Sequence, residues 1–177
     1  MDVIEAIHTR RSVRSYEDRP VPMDVVRELL AAAMSAPSAG NAQPWQFVLI
    51  DDRAVLEQVK TINPYGAMAA RAALGILVCG DITLEKFAGY WVQDCSAATQ
   101  NLLLAAHAKG LGAVWTGIHP MPERIAGFRA LVGLPEHVAP LALVVLGYPA
   151  QQTTAQDRFR GDRVHHNTWG NRLRFGV

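Results

Sequence analysis

The chain has 177 residues, half of them apolar, which suits one domain with a sizeable core and excludes a disordered chain. Lys and Arg number 17 against 16 Asp and Glu, and a net charge of +1 gives no general electrostatic case for nucleic acid or an anionic membrane. Cys79 and Cys95 lie in apolar stretches without metal-type spacing, which argues against a disulfide framework or zinc site and for reduced thiols in the cytoplasm. The opening MDVIEAIHTRRS has no basic start leading into a long apolar run, and no later segment is an unbroken apolar span of membrane length. The expectation is a soluble, unexported, cytoplasmic protein with 1–177 as a single domain.

Val3, Ile4 and Ile7 recur at helical spacing after Asp2, predicting a short helix that Asp2 caps and that ends near the arginines. Val26, Leu29, Leu30 and Ala33 repeat the pattern, so a second helix is expected over residues 24–36, closed by Pro37. PSAGNAQPW then reads as a loop, and 47–50 as a buried strand. Residues 53–61 and 67–73 look helical, and 74–79 is an apolar strand closed by Gly80. The longest helix is expected over 90–109, apolar around much of its circumference and therefore central, with Gly110 at its C-terminal cap. A strand at 113–115, a helix at 122–132 and a strand at 141–146 follow, before a polar, irregular tail rich in Arg and His. Helices outnumber strands and the two are interspersed, which predicts an α+β or α/β sandwich.

Several chemistries are absent from the pattern. Gly110-Leu111-Gly112 follows a helix and its next glycine, Gly117, is at the wrong offset for a dinucleotide fingerprint. No GxxxxGK[ST] loop, HExxH helix or GxSxG elbow occurs, and the six histidines are scattered without carboxylate or Cys partners, so no metal site is expected. Two features stand out instead. Arg10-Arg11-Ser12-Val13-Arg14, directly after the first helix, supplies forked charge-assisted donors suited to a phosphate, although a solvated basic helix end is the plainer alternative. In Pro37-Ser38-Ala39-Gly40-Asn41-Ala42-Gln43-Pro44-Trp45, small residues let backbone approach a flat ligand and Ser38, Asn41 and Gln43 can bond its polar edge; an ordinary helix-to-strand loop is the alternative there.

The order RRSVRSY, a helix, PSAGNAQPWQF, then VQDCSAATQNLLLAAHAKGLGAVWTG, with LGYP and RFRGDRVHHNTW toward the end, resembles the nitroreductase family of flavin mononucleotide (FMN) oxidoreductases across nearly the whole chain. The resemblance implies an α+β three-layer sandwich, a central mainly antiparallel sheet flanked by helices, in an intertwined homodimer with two FMN sites at its interface. By the same resemblance, Arg10, Ser12 and Arg14 match the first FMN motif, with Arg11 inside it; Pro37, Ser38, Ala39 and Asn41 match a loop that the partner subunit contributes. Val114, Trp115, Thr116 and Gly117 match a segment whose backbone lies beside the flavin, with the Thr116 N–H as expected donor to N5. Arg158 fits the basic residue that the C-terminal segment brings to the phosphate, with Arg163 as the second choice.

Between Ile62 and Ala73 the polar and lysine contacts of larger relatives to the flavin edge find no match, and no long insertion supplies an extra substrate-covering helix. The activity the resemblance implies is hydride transfer from NAD(P)H through flavin N5 to a nitroaromatic, quinone or similar small acceptor by a ping-pong cycle. No protein acid or base is required, since solvent can protonate the product. Reductive dehalogenation or flavin conversion on the same scaffold, and a flavin-binding protein without turnover, are the alternatives.

Overall fold

The structure, a computed structural model, describes residues 1–173 and 175. Among these the α-helices and strands run in the order α1 (Val3–Thr9), α2 (Met23–Met34), β1 (Trp45–Ile50), α3 (Arg53–Ile62), β2 (Leu74–Asp81), α4 (Trp91–Ala108), β3 (Gly112–Gly117), α5 (Pro122–Val132) and β4 (Val138–Gly147). The strands form one antiparallel sheet in the order β1-β2-β4-β3.

Side-chain alternation divides the core into two layers. Ile76 and Val78 of β2, with Ala142, Val144 and Leu146 of β4, pack against Val26, Leu29 and Ala33 of α2 and Ala98, Leu102 and Ala106 of α4. Leu77 and Cys79, with Leu143 and Val145, face the opposite way onto Leu56 and Val59 of α3 and Phe128 of α5. β2 and β4 are thus buried on both faces, which is why each reads as an unbroken apolar run rather than an alternating one. This is the expected α+β sandwich of helices, antiparallel sheet and helices.

Local chemistry sets the element ends. The Asp2 carboxylate accepts from the Glu5 N–H at 2.9 Å, the expected cap of α1. Past α4, Gly110 takes φ 75° and the Gly110 and Leu111 N–H groups donate back to the His107 and Ala106 carbonyls, a Schellman closure. Three expectations shift. α2 ends at Met34 rather than 36, where Pro37 holds Ala36 away from helical geometry. Of the residues expected to be helical over 67–73, those up to Arg71 belong to a 3-10 helix, Pro64–Arg71, opened by Asn63, whose side chain accepts from the Tyr65 N–H, while Ala72 is already extended. β4 starts at Val138, not 141: the register skips Leu141 between Ala142 and Pro140, and this bulge admits a proline that has no N–H for the ladder.

The apolar face of α1 departs from its expected use. Ala6 is the residue it buries, while Val3, Ile4 and Ile7 stay 67%, 58% and 49% exposed, so the periodicity marks a face that the described residues leave largely uncovered.

Candidate functional site

α1 stops at Thr9 and the chain then runs extended along the free edge of β3. Ser12 forms a parallel bridge with Ala113, and the Val13 N–H donates to the Ala113 carbonyl at 3.0 Å. Val13 anchors this segment by filling the core above Gly112, where an added Cβ would meet Val13 Cγ1 at 2.6 Å. The tail returns past the same segment. Arg11 ties it down, with Nε donating to the Thr154 carbonyl at 3.1 Å and Nη2 to the Gln156 carbonyl at 3.3 Å. Its Nη1 donates to the carbonyls of His8 and Arg10, covering the exposed end of α1. Arg11 therefore spends four of its five donors on backbone, which removes it from the expected phosphate ligands and makes it the clamp of the pocket.

That pocket, of about 360 Å³, is lined by Arg10, Ser12 and Arg14 from the turn and by Thr153, Gln156 and Arg158 from the tail. Ion pairs among the described residues are Glu28–Lys109 and Arg160–Asp162, so no carboxylate neutralises Arg10, Arg11, Arg14 or Arg158. Partial burial, followed by the charges of Arg11 and Arg158, pushes the Arg10 pKa below its usual value. Burial, then Arg10 and Arg11, lowers His107 likewise; its Nε2 meets the Thr9 hydroxyl at 2.7 Å and joins α1 to the end of α4. Such an uncompensated cationic cluster, with a neutral hydroxyl among forked donors, has the donor chemistry to receive a phosphate group. Arg163, the second choice for this task, instead lines a separate pocket of about 500 Å³ with His165 and Trp169.

The rest of the β3 edge lies open. The Ala113 carbonyl points away from β4, so by strand alternation the backbones of Trp115 and Gly117 do so too, and that of Thr116 faces β4. The Thr116 hydroxyl points the same way, donating to the Leu143 carbonyl at 2.8 Å. This corrects the expected donor: the Thr116 N–H belongs to the sheet, and the outward N–H groups are those of Trp115 and Gly117. A Cβ at Gly117 would meet nothing within 4 Å, leaving room for a flat group against the backbone. From Ala113 to Gly117 the strand spans about 13 Å, which separates the cationic pocket from the glycine by the reach of an elongated phosphate ester. A ring system at one end and a terminal phosphate at the other fit this arrangement.

Two residues outside the expected set reach the Gly117 carbonyl. Arg124 Nη1 donates to it at 3.0 Å and Asn63 Nδ2 at 3.3 Å. Asn63 lies in the stretch where the flavin-edge contacts of larger relatives find no match in the sequence, and its full burial as a polar residue becomes visible only once the chain is folded.

The loop of Pro37, Ser38, Ala39 and Asn41 stands elsewhere. The Ala39 N–H donates to the Asp94 carboxylate at 2.9 Å, and the Gln43 N–H to the Ser38 hydroxyl at 3.0 Å. Gly40, Asn41 and Gln43 all take positive φ. Asp94 lies in the first turn of α4 and His107 in its last, about 20 Å apart at the rise of an α-helix. Ser38 and Asn41 are thus held at the far end of α4 from Arg10 and Arg158, beside a pocket of about 290 Å³ that Tyr90 and Gln93 help to line.

The family model described as "Nitroreductase family" matches residues 7–68 and 63–148. A Methanothermobacter thermautotrophicus protein with the provisional name NADH dehydrogenase/NAD(P)H nitroreductase is 51% identical over 169 residues, 96% of this chain and 88% of that protein. A crystal structure from Parabacteroides distasonis, under the same provisional name, superposes with a TM-score of 0.91 at 41% identity, covering 94% of this chain and 98% of that one. A nitroreductase-type protein of Desulfovibrio desulfuricans, solved in complex with FMN, gives 0.82 at 32% identity, covering 96% and 98%. Fold, sequence and the ordered motifs agree: the chain belongs to the nitroreductase family.

Proposed function

We propose that this protein is a cytoplasmic, FMN-dependent oxidoreductase that takes hydride from NAD(P)H and reduces a nitroaromatic, quinone or similar small acceptor. The observation that carries the reading is the pairing of an unneutralised arginine pocket with an open, glycine-lined strand edge about 13 Å away. Arg10, Arg158 and Ser12 bind the phosphate, and Arg14 supports the pyrimidine side of the ring. The outward Gly117 N–H donates to N5. When bound, FMN supplies two-electron chemistry, accepting hydride from NAD(P)H and passing it to an acceptor that follows over the same face, which makes the kinetics ping-pong.

The working unit in this reading is a homodimer. A two-fold axis across α4 sets the first turn of one copy's helix against the last turn of the other's. Pro37, Ser38, Ala39 and Asn41 of one protomer then reach the phosphate pocket of its partner, spanning the separation that keeps them from their own. The exposed Val3, Ile4 and Ile7 supply apolar surface for such a contact.

The test is a visible spectrum of the purified protein, identification of the flavin released on denaturation, and anaerobic titration with NADH and with NADPH. Yellow protein, intact FMN and rapid bleaching by a nicotinamide are expected. A colourless protein that takes up no added FMN refutes the reading, and bound FMN that neither nicotinamide reduces indicates a flavin carrier without turnover.

A further inference from the structure

Arg124 and Asn63 have no part in holding the phosphate or the loop, yet they converge on the backbone at the open edge of β3. Their two donors occupy the Gly117 carbonyl together, at 3.0 and 3.3 Å. Asn63 is fully buried, and its Oδ1 accepts from the Tyr65 N–H at 3.2 Å, which leaves Nδ2 as the group that faces Gly117. Arg124 extends from the first turn of α5, and its guanidinium carbon lies 5.5 Å from the centre of the Tyr65 ring. It makes no ion pair among the described residues. A half-buried, always charged group is therefore fixed at the strand edge by a carbonyl on one side and an aromatic ring on the other.

The N–H and C=O of one strand residue point to the same side. A ring atom that accepts from the Gly117 N–H therefore lies on the same side as Arg124 Nη1 and within about 9 Å of it, two ordinary hydrogen-bond lengths plus the roughly 3 Å between the N and O of one residue. We propose that Arg124 is the fixed positive charge that raises the reduction potential of the bound flavin, with Asn63 as a positioning residue that holds the Gly117 edge in place. The inference rests on FMN occupying that edge. Its chemistry is general: reduction adds electron density to the ring, and a nearby fixed cation favours the reduced over the oxidised state. Arg14 comes from the first FMN motif and lines the cationic pocket, whereas Arg124 comes from α5, so the two arginines approach the ligand from different elements.

The experiment measures the two-electron potential of the FMN-loaded protein against a reference dye, together with the Kd for oxidised FMN, in the wild type, Arg124→Gln and Tyr65→Glu. Gln at 124 keeps a donor for the carbonyl and removes the charge. Oxidised FMN should bind within about twofold of wild type while reduced FMN binds about tenfold less tightly, a fall of about 30 mV for a two-electron couple. Tyr65 is 75% exposed, so Glu there removes no core packing; it exchanges the ring beside the guanidinium for a carboxylate and should lower the potential in the same direction. Arg124→Lys, which keeps the charge, should stay closer to wild type than Arg124→Gln. Equal potentials in wild type and Arg124→Gln overturn the proposal, as does an unchanged potential in Tyr65→Glu should the Gln variant fail to fold. A wild type that retains no FMN fails in a different way: it refutes the reading of the site on which the proposal rests.

Discussion

Replacing Arg10 by Ala separates the phosphate site from every other contribution to flavin binding. A guanidinium hydrogen bond to an ionised phosphate contributes about 1.5–3 kcal/mol, a factor of roughly 10 to 150 in Kd. The structure favours the upper part of that range. Arg10 is half-buried with no carboxylate partner among the described residues, and four of the five Arg11 donors are committed to the carbonyls of His8, Arg10, Thr154 and Gln156. Apoprotein stability should move the other way. Burial first, then the charges of Arg11 and Arg158, depress the Arg10 pKa, so removing this cation relieves a desolvation cost and a repulsion and leaves the apoprotein melting temperature equal or higher. The assay is titration of FMN, and in parallel of riboflavin, into apoprotein followed by flavin fluorescence. Arg10→Ala should weaken FMN by the stated factor and leave riboflavin, which has no phosphate, unchanged. Equal losses for the two ligands, or no loss for FMN, would refute the assignment of Arg10 to the phosphate.

Arg158→Ala should weaken FMN on a similar scale, whereas Arg163→Ala should not, because Arg163 belongs to a separate pocket; parallel titrations of both variants decide the matter. Arg10→Ala and Asn41→Ala chains mixed into heterodimers should regain about half the flavin binding of a wild-type dimer, since one composite site collects both defects and the other neither. Verified heterodimers that regain no site would refute the shared-site geometry. The two glycines at the ends of β3 should respond oppositely to a methyl group. Gly112→Ala drives a Cβ into Val13 and should lower apoprotein stability by about 1–3 kcal/mol, read from urea melts. Gly117→Ala meets no atom of its own chain and should leave that melt nearly unchanged while weakening FMN; retained FMN affinity would mean that the ring lies elsewhere.

The local grammar of the fold was legible in the sequence. Helical spacing marked α1 to α5, Asp2 and Gly110 marked helix ends, and two unbroken apolar runs marked the strands buried on both faces. Pro140 hid the first residues of β4, because a proline argues against a central strand unless a bulge is known in advance. For the site, Arg10, Ser12, Arg14 and Arg158 line one pocket, but that pocket depends on a tail that returns more than a hundred residues later. On β3 the outward N–H groups are those of the residues on either side of Thr116. Strand alternation is readable from sequence, but which of its two sides faces the next strand is set by pairing with β4 and with Ser12. Asn63 and Arg124 gave no signal at all: one precedes a proline in a linker and the other lies on a helix surface, and the carbonyl that unites them belongs to a third segment.

The clamp made by Arg11 has a consequence for how this chain can diverge. It grips the tail through the carbonyl oxygens of Thr154 and Gln156, groups that every amino acid carries. Side chains at 154 and 156 can drift without releasing the strand of chain that delivers Arg158, so the tail is free in composition while fixed in path. At these two positions the constraint falls on Arg11, whose identity matters for a reason unrelated to ligand charge: no other side chain offers so many donors in one rigid plane. A lysine there would keep the positive field of the pocket and lose the path of the tail.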